Sequence, residues 1–215
     1  MNRRGSWIRA LAGHLIDLYG MMSFEVANPH GLSKFRNIKS LARRTGARVF
    51  VEAGTYRGVT TARCARLFDR VFTVELDRQL AADAAVYLRR WPNIELFQGD
   101  ALTVVPSILS RGDVEDVLIF LDGHFSGGVT ALGEMSEPAV EELRLLGAFR
   151  SKIRGIIIDD FRGFGVYEDW PAKSSLFRVL EEQFPGFDVM VHLDQVIVGC
   201  VGFGASGVGS SQREK

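Results

Sequence analysis

Cysteine is scarce in this chain: 215 residues contain two, Cys64 and Cys200. They form neither a C-x-x-C pair nor a spaced set, so a disulfide framework and a dithiol redox centre are excluded. Both fall in apolar patterns and read as small core residues. A reducing cytoplasm is the expected compartment. Net charge is missing too, because 26 Lys and Arg balance 26 Asp and Glu. No global basic field recruits nucleic acid or anionic lipid, and neither is an expected partner. The one local basic stretch, residues 34–48, reads as a solvated helix face. Long apolar runs are also absent. Residues after Arg3 and Arg4 are interrupted by Arg9, His14 and Asp17, which is wrong for a signal peptide, and no stretch reaches the roughly 18 apolar residues of a membrane span.

What remains is 47% hydrophobic and 24% charged, enough for one domain with a three-layer core. The expected division is a helical extension over 1–46, one domain over 47–202, and a disordered Gly/Ser-rich tail over 203–215. Residues 7–19 read as an amphipathic helix with Trp7, Leu11, Leu15 and Leu18 along one stripe. That stripe would pack on the domain or on a second copy of the chain, which makes a homodimer through these helices the expected assembly.

Periodicity then becomes regular. Helices are expected at 33–44, 60–68, 79–90, 102–109, 138–146 and 173–184. Strands are expected at 48–53, 71–75, 94–98, 117–121, 155–158, 187–192 and 195–201. Alternating strands and helices require a parallel α/β sheet with right-handed crossovers. The last two strands are joined only by Leu193 and Asp194, too short for a crossover, so they must be antiparallel. The fold class is therefore a Rossmann-like α/β architecture: seven strands, mostly parallel, the last one reversed, with helices on both faces.

In such a sheet, ligands collect at the carboxyl ends of the strands. The first strand runs into Glu52-Ala53-Gly54-Thr55-Tyr56-Arg57-Gly58-Val59-Thr60. Gly54 and Gly58 permit a tight turn and a close ligand approach, and the following helix aims free N–H groups at the same place. The spacing is not G-x-G-x-x-G, which argues against a pyrophosphate cradle and a nicotinamide-dependent dehydrogenase. Glu52 beside that turn suits a cation or a ligand amine. The second strand ends at Glu75 and Asp77. Glu75 can accept both hydroxyls of a ribose, or cap the next helix; Asp77 reads as the cap. After the third strand, Asp100 before Ala101 can meet an adenine amino group or cap its helix.

Glu52-x-Gly54-x-x-x-Gly58, Glu75, Gly99-Asp100-Ala101 and Leu121-Asp122, in this order, resemble the class I S-adenosylmethionine-dependent methyltransferases. The terminal hairpin fits that fold's reversed last strand, and the resemblance spans residues 47–201. It implies S-adenosyl-L-methionine as cofactor, its adenosine over Glu75, Asp100 and Ala101. The methionine moiety would then lie near Glu52, Gly54, Thr55, Tyr56, Gly58 and Thr60, with Asp122 at the edge of the same site.

Two acidic patches, Asp122-Gly123-His124 and Asp159-Asp160, each follow a buried strand. Their pattern is similar to the metal site of the Mg²⁺-dependent O-methyltransferases, the catechol O-methyltransferase-like and sugar O-methyltransferase group. The resemblance implies Asp122, Asp159 and Asp160 as ligands of Mg²⁺ or a similar cation. Hard carboxylate oxygens suit that ion, which would orient an acceptor hydroxyl and lower its pKa. Without a cation, three crowded carboxylates repel. The other reading is local: Asp159 caps the next segment and Asp160 pairs with Arg162. His124 is the candidate base, and it could instead ligate the metal or fix its loop. The catechol group carries a Lys three residues after its first metal Asp, where this chain has Phe125. The Gly-rich stretch from His124 to Thr130 could close over an acceptor. Beyond it, Arg162, Phe164, Tyr167 and Trp170 could stack on a sugar or an aromatic ring, or pack as a lid.

The expected activity is methylation of a hydroxyl on a small-molecule acceptor, a sugar or a polyketide-like compound, with Asp122 and His124 as catalytic residues. Two alternatives stand beside it. One is a metal-dependent hydrolase using Asp122, His124, Asp159 and Asp160. The other is a catalytically silent binding module on the same fold.

Overall fold

The structure, a computed structural model, describes residues 11–16, 18–19, 31–122 and 137–200. Helix α1 spans Gly31–Thr45 and strand β1 Val49–Ala53. There follow α2 (Val59–Cys64), β2 (Arg70–Glu75), α3 (Arg78–Leu88), β3 (Ile94–Gln98), α4 (Ala101–Leu109) and β4 (Val117–Leu121). The chain continues with α5 (Ala139–Gly147), β5 (Ile153–Ile158), α6 (Lys173–Gln183), β6 (Asp188–His192) and β7 (Gln195–Gly199). The sheet has the order β3-β2-β1-β4-β5-β7-β6. The pairs among β1 to β5 are parallel, and β7 runs antiparallel to both β5 and β6. This is the mostly parallel seven-stranded sheet with a reversed last strand that the alternation of elements requires.

Strand residues alternate between two cores. Val51, Ala53, Phe72, Val74, Ile119, Leu121, Ile156 and Ile158 face α4, α5 and α6. Phe50, Val71, Leu118, Phe120, Ile157 and Ile197 face α1 and α2. Each Phe-sized side chain buried in this way contributes about 2–3 kcal/mol. Helix α1 lies close on the sheet through Ile38, Leu41 and Ala42. Gly155 allows this: a Cβ there would sit 2.7 Å from Leu41 Cδ2 and 3.2 Å from the Val198 carbonyl oxygen.

Some element bounds shift. Helix α2 ends at Cys64 rather than at 68, and residues 65–67 continue as a turn. Residues 11–16 and 18–19 are helical, and Trp7 of the expected apolar stripe lies outside the described residues. Leu15 and Ile16 stay exposed, at 56% and 63%. Toward α1, His14 Nδ1 lies 2.9 Å from Ser33 Oγ and His14 Nε2 3.2 Å from Arg36 Nη1.

Candidate functional site

Sheet register assembles the site. Ala53 pairs with Leu121 and Leu121 with Ile158. The next residues, Gly54, Asp122 and Asp159, therefore stand side by side where the strands end. Backbone bonds continue one step further, from Asp122 N to the Ala53 carbonyl and from Asp159 N to the Leu121 carbonyl, both 2.9 Å.

On the β1 side, the chain turns sharply after Ala53. Gly58 N donates to Thr55 O at 2.8 Å, and Gly58 adopts φ +69°, which suits glycine alone without strain. Its missing side chain also matters, because a Cβ would meet Leu88 carbons at 3.0 Å. Tyr56 is held at φ +48°. What fixes it is Glu75: Tyr56 N donates to Glu75 Oε2 at 2.7 Å, and Asp77 N to Glu75 Oε1 at 3.0 Å. Each Glu75 oxygen thus accepts one amide. A carboxylate has roughly four acceptor positions, so capacity remains on both oxygens for a pair of ligand hydroxyls. Glu75 itself caps no helix. Asp77 does, accepting from Gln79 N and Leu80 N, both at 2.8 Å. Asp100 caps α4 through Leu102 N at 2.9 Å, and it stays exposed beside the half-buried Ala101. Its second carboxylate oxygen leaves an acceptor available for an adenine amino group.

Glu52 does not line the opening. Its side chain is on the same sheet face as Phe50 and Phe120, and it is buried beneath α2. Thr61 Oγ1 donates to Glu52 Oε2 at 2.5 Å and Thr73 Oγ1 to the same oxygen at 2.7 Å. Thr55 Oγ1 lies 2.6 Å from Thr73 Oγ1 and extends the chain of hydroxyls to the glycine turn. Burial pushes the Glu52 carboxyl up to about 7, against the pull of the two threonine bonds and with a smaller push from the Glu75 charge. The role expected for Glu52, direct contact with a ligand amine, is corrected: it braces α2 and the turn from inside. Thr60 is half-buried at the start of α2.

The acidic side differs from expectation in its cation. Lys34, from α1, reaches into it: Nζ lies 2.8 Å from Asp159 Oδ1 and 2.6 Å from Asp160 Oδ1, with Asp194 Oδ2 at 3.9 Å. Arg162 adds a second cation, with Nη1 2.8 Å from Asp160 Oδ1 and also paired to Asp194. Asp160 N donates to Asp159 Oδ1 at 2.8 Å, and Asp160 takes φ +51°. The β6–β7 turn closes the cluster, with Arg162 N donating to Asp194 Oδ1 at 2.7 Å. Burial raises the carboxyl of Asp122 well above the usual range, the charges of Asp159 and Asp160 raise it further, and Lys34 opposes them. Asp159 is also raised by burial, against the pull of Lys34.

A divalent ion does not fit this arrangement. The oxygens of Asp159 and Asp160 already converge on an ammonium, and an ion placed between them would meet a like charge at contact distance. Among the described residues, no three His, Cys, Asp or Glu side chains are grouped to hold a metal. The expected Mg²⁺ ligation by Asp122, Asp159 and Asp160 is therefore not shown: in the structure Asp160 pairs with Arg162, as the local reading has it, and Lys34 joins both Asp159 and Asp160.

The aromatic segment after β5 is packed rather than open. Phe164 is fully buried, and Trp170 stacks edge-on against it at 5.2 Å between centroids. Tyr167, by contrast, is 51% exposed, and Arg162 is half-buried. His124, the candidate base, and the Gly-rich stretch from His124 to Thr130 lie outside the described residues.

Comparison with solved structures decides the architecture. An O-methyltransferase from Bacillus cereus, solved with SAH, matches at TM-score 0.58 and 18% identity, covering 87% of this chain and 90% of its own. TomG from Streptomyces achromogenes, an O-methyltransferase of tomaymycin synthesis solved with SAM, matches at TM-score 0.55 and 19% identity, covering 83% of each chain. The fold is that of the class I methyltransferases. At these identities the likeness is one of fold, so the chemistry must come from this chain's own methyltransferase-fold strand ends. No family model matches the sequence, and no curated protein does. Among the described residues, no helix is long and apolar enough to cross a membrane.

Proposed function

We propose that this chain is an S-adenosylmethionine-dependent methyltransferase acting on an oxygen of a small molecule. The observation that carries the reading is Glu75. A buried carboxylate at the end of β2 is aimed by two backbone amides, beside the glycine turn that follows β1. A ribose needs that chemistry: two adjacent hydroxyls against two oxygens of one carboxylate. The names of the structures with the same fold, O-methyltransferases solved with SAM or SAH, support the same class.

Glu75 would hold the ribose, and Asp100 with Ala101 the adenine. The turn from Gly54 to Gly58 would hold the methionine end, with Thr55 bracing it from beneath and Thr60 at its rim. When bound, S-adenosylmethionine supplies an already activated methyl on a sulfonium. The protein's part is then chiefly positioning. The turn is rigid because Glu75 and the Thr55–Thr73–Glu52–Thr61 chain hold it from both sides. Asp122 borders the place where an acceptor oxygen must come, and His124, two residues on, is the base we assign to take its proton. No step passes through a metal, because Lys34 already binds the acidic pair. The same contact disfavours the metal-dependent hydrolase, which needs those carboxylates for an ion.

Calorimetric titration with S-adenosylhomocysteine tests the reading. The wild-type chain binds it saturably, and Glu75→Ala weakens binding by about 10-fold or more, since charged hydrogen bonds contribute roughly 1.5–3 kcal/mol each. Asp77→Ala removes only a helix cap, about 1 kcal/mol of stability, and leaves affinity intact. Absence of saturable binding by the wild type sinks the proposal.

A further inference from the structure

Lys34 is not a stray surface lysine. Asn37, one turn later on α1, fixes the helix against the sheet edge: Nδ2 donates to the His192 carbonyl at 3.0 Å and to Gln195 Oε1 at 2.7 Å. His192 Nδ1 returns to Asn37 Oδ1 at 2.9 Å. Ile38 and Leu41 continue the same face into the core. These contacts leave the Lys34 stem little freedom, and its side chain is 12% exposed. An ammonium so far out of water needs ionised partners close by, and it has them in Asp159 and Asp160. The partners have the same need. Their strand-end positions are set by the sheet, so they must be neutralised by whatever the fold brings to them.

We propose that the Lys34 ammonium stands in the place of a divalent cation at the ends of β4 and β5, so that the acceptor side carries its own tethered positive charge and needs no metal. The ammonium differs from the ion in one useful way. It presents N–H donors in place of open coordination positions, so an acceptor oxygen is met by a fixed charge and a hydrogen bond rather than chelated. The functional consequence rests on the methyltransferase reading; the occupancy of the cluster does not.

The test is therefore a binding measurement that needs no methyl transfer. Mn²⁺ is titrated into the full chain while the free-ion electron paramagnetic resonance signal is followed. The expected result is no specific binding by the wild type, and one Mn²⁺ per chain for Lys34→Met, at least 10-fold tighter than for Lys34→Met with Asp159→Asn. Lys34→Gln, which keeps a hydrogen-bond donor of similar reach, is the second variant and gains the same site. A stoichiometric Mn²⁺ site in the wild type that Asp159→Asn abolishes would overturn the proposal. So would the absence of binding in either folded Lys34 variant, because the lysine would then not be standing where an ion fits. Either result leaves S-adenosylhomocysteine binding, and with it the proposed activity, to be judged separately.

Discussion

Glu142 should make the stability of this protein fall as pH rises through neutrality. It lies on α5 at 5% exposure, and among the described residues its Oε1 has no hydrogen-bond partner. Burial, with the charges of Glu137 and Asp100 added, pushes its carboxyl from the ordinary 4.5 up to about 8. Between those two values the folded chain holds a proton that the unfolded chain has lost. The stabilisation is complete below about pH 4.5 and drains away up to about pH 8, by about 1.4 kcal/mol per pH unit. From pH 5.5 to 8 that is an upper bound of about 3 kcal/mol, and local loosening around an ionised carboxylate reduces it. Glu142→Gln has no proton to lose. Urea denaturation followed by circular dichroism at pH 5.5, 7 and 8.5 gives both stability curves. The wild-type advantage over Glu142→Gln should shrink by about 1–3 kcal/mol across this range. Titrating groups common to both chains, Glu52 included, cancel in the difference. Parallel curves, within about 0.5 kcal/mol, would refute the assignment of a buried, proton-holding carboxyl.

Two glycines give further checks. Gly58→Ala forces a side chain into φ +69° and against Leu88, so stability should fall by about 1–2 kcal/mol, and S-adenosylhomocysteine affinity should fall with the distorted turn. Unchanged thermal midpoint and affinity would contradict the close approach at that turn. Gly163→Ala places a Cβ 2.5 Å from Trp170, and overpacking of this kind costs about 1–3 kcal/mol. The indole emission should shift as Trp170 is displaced, and a variant with wild-type stability and emission would mean that Trp170 does not pack tightly over Gly163.

The fold was legible because its signals are local and repeated. β-branched runs punctuated by Asp77, Asp100 and the Trp91-Pro92 break mark where strands and helices exchange. The two-residue link at Leu193 and Asp194 compels the reversed strand. The place of Glu75 at the end of β2 is legible for the same reason, because it closes an apolar strand. Glu52 carries a signal of its burial in its position on the strand. Side chains on a strand alternate, and Glu52 shares its parity with Phe50, so it had to enter the core rather than the opening. Its partners, Thr61 and Thr73, come from two further elements, and only the register between β1 and β2 brings Thr73 opposite it.

Lys34 shows where local reading stops. Counted with its neighbours it belongs to a basic stretch, and a solvated face is the natural inference. Its helical spacing to Ile38 and Leu41 says otherwise, because a residue four and seven positions before core residues lies on the core-facing side. Even so, the sequence could not name its partner: Asp160 is 126 positions away. The carboxylates after β4 and β5 announced only that some positive charge must be near. A soluble ion and a distant lysine satisfy that requirement equally well on the page of a sequence. The choice is made by the placement of α1 across β5 and β7, and that placement depends on Gly155 lacking a side chain under Leu41. A glycine in β5 thus lets a lysine of α1 reach the acid pair, and under the proposal above the acceptor side meets a tethered charge where the carboxylates alone would suggest chelation.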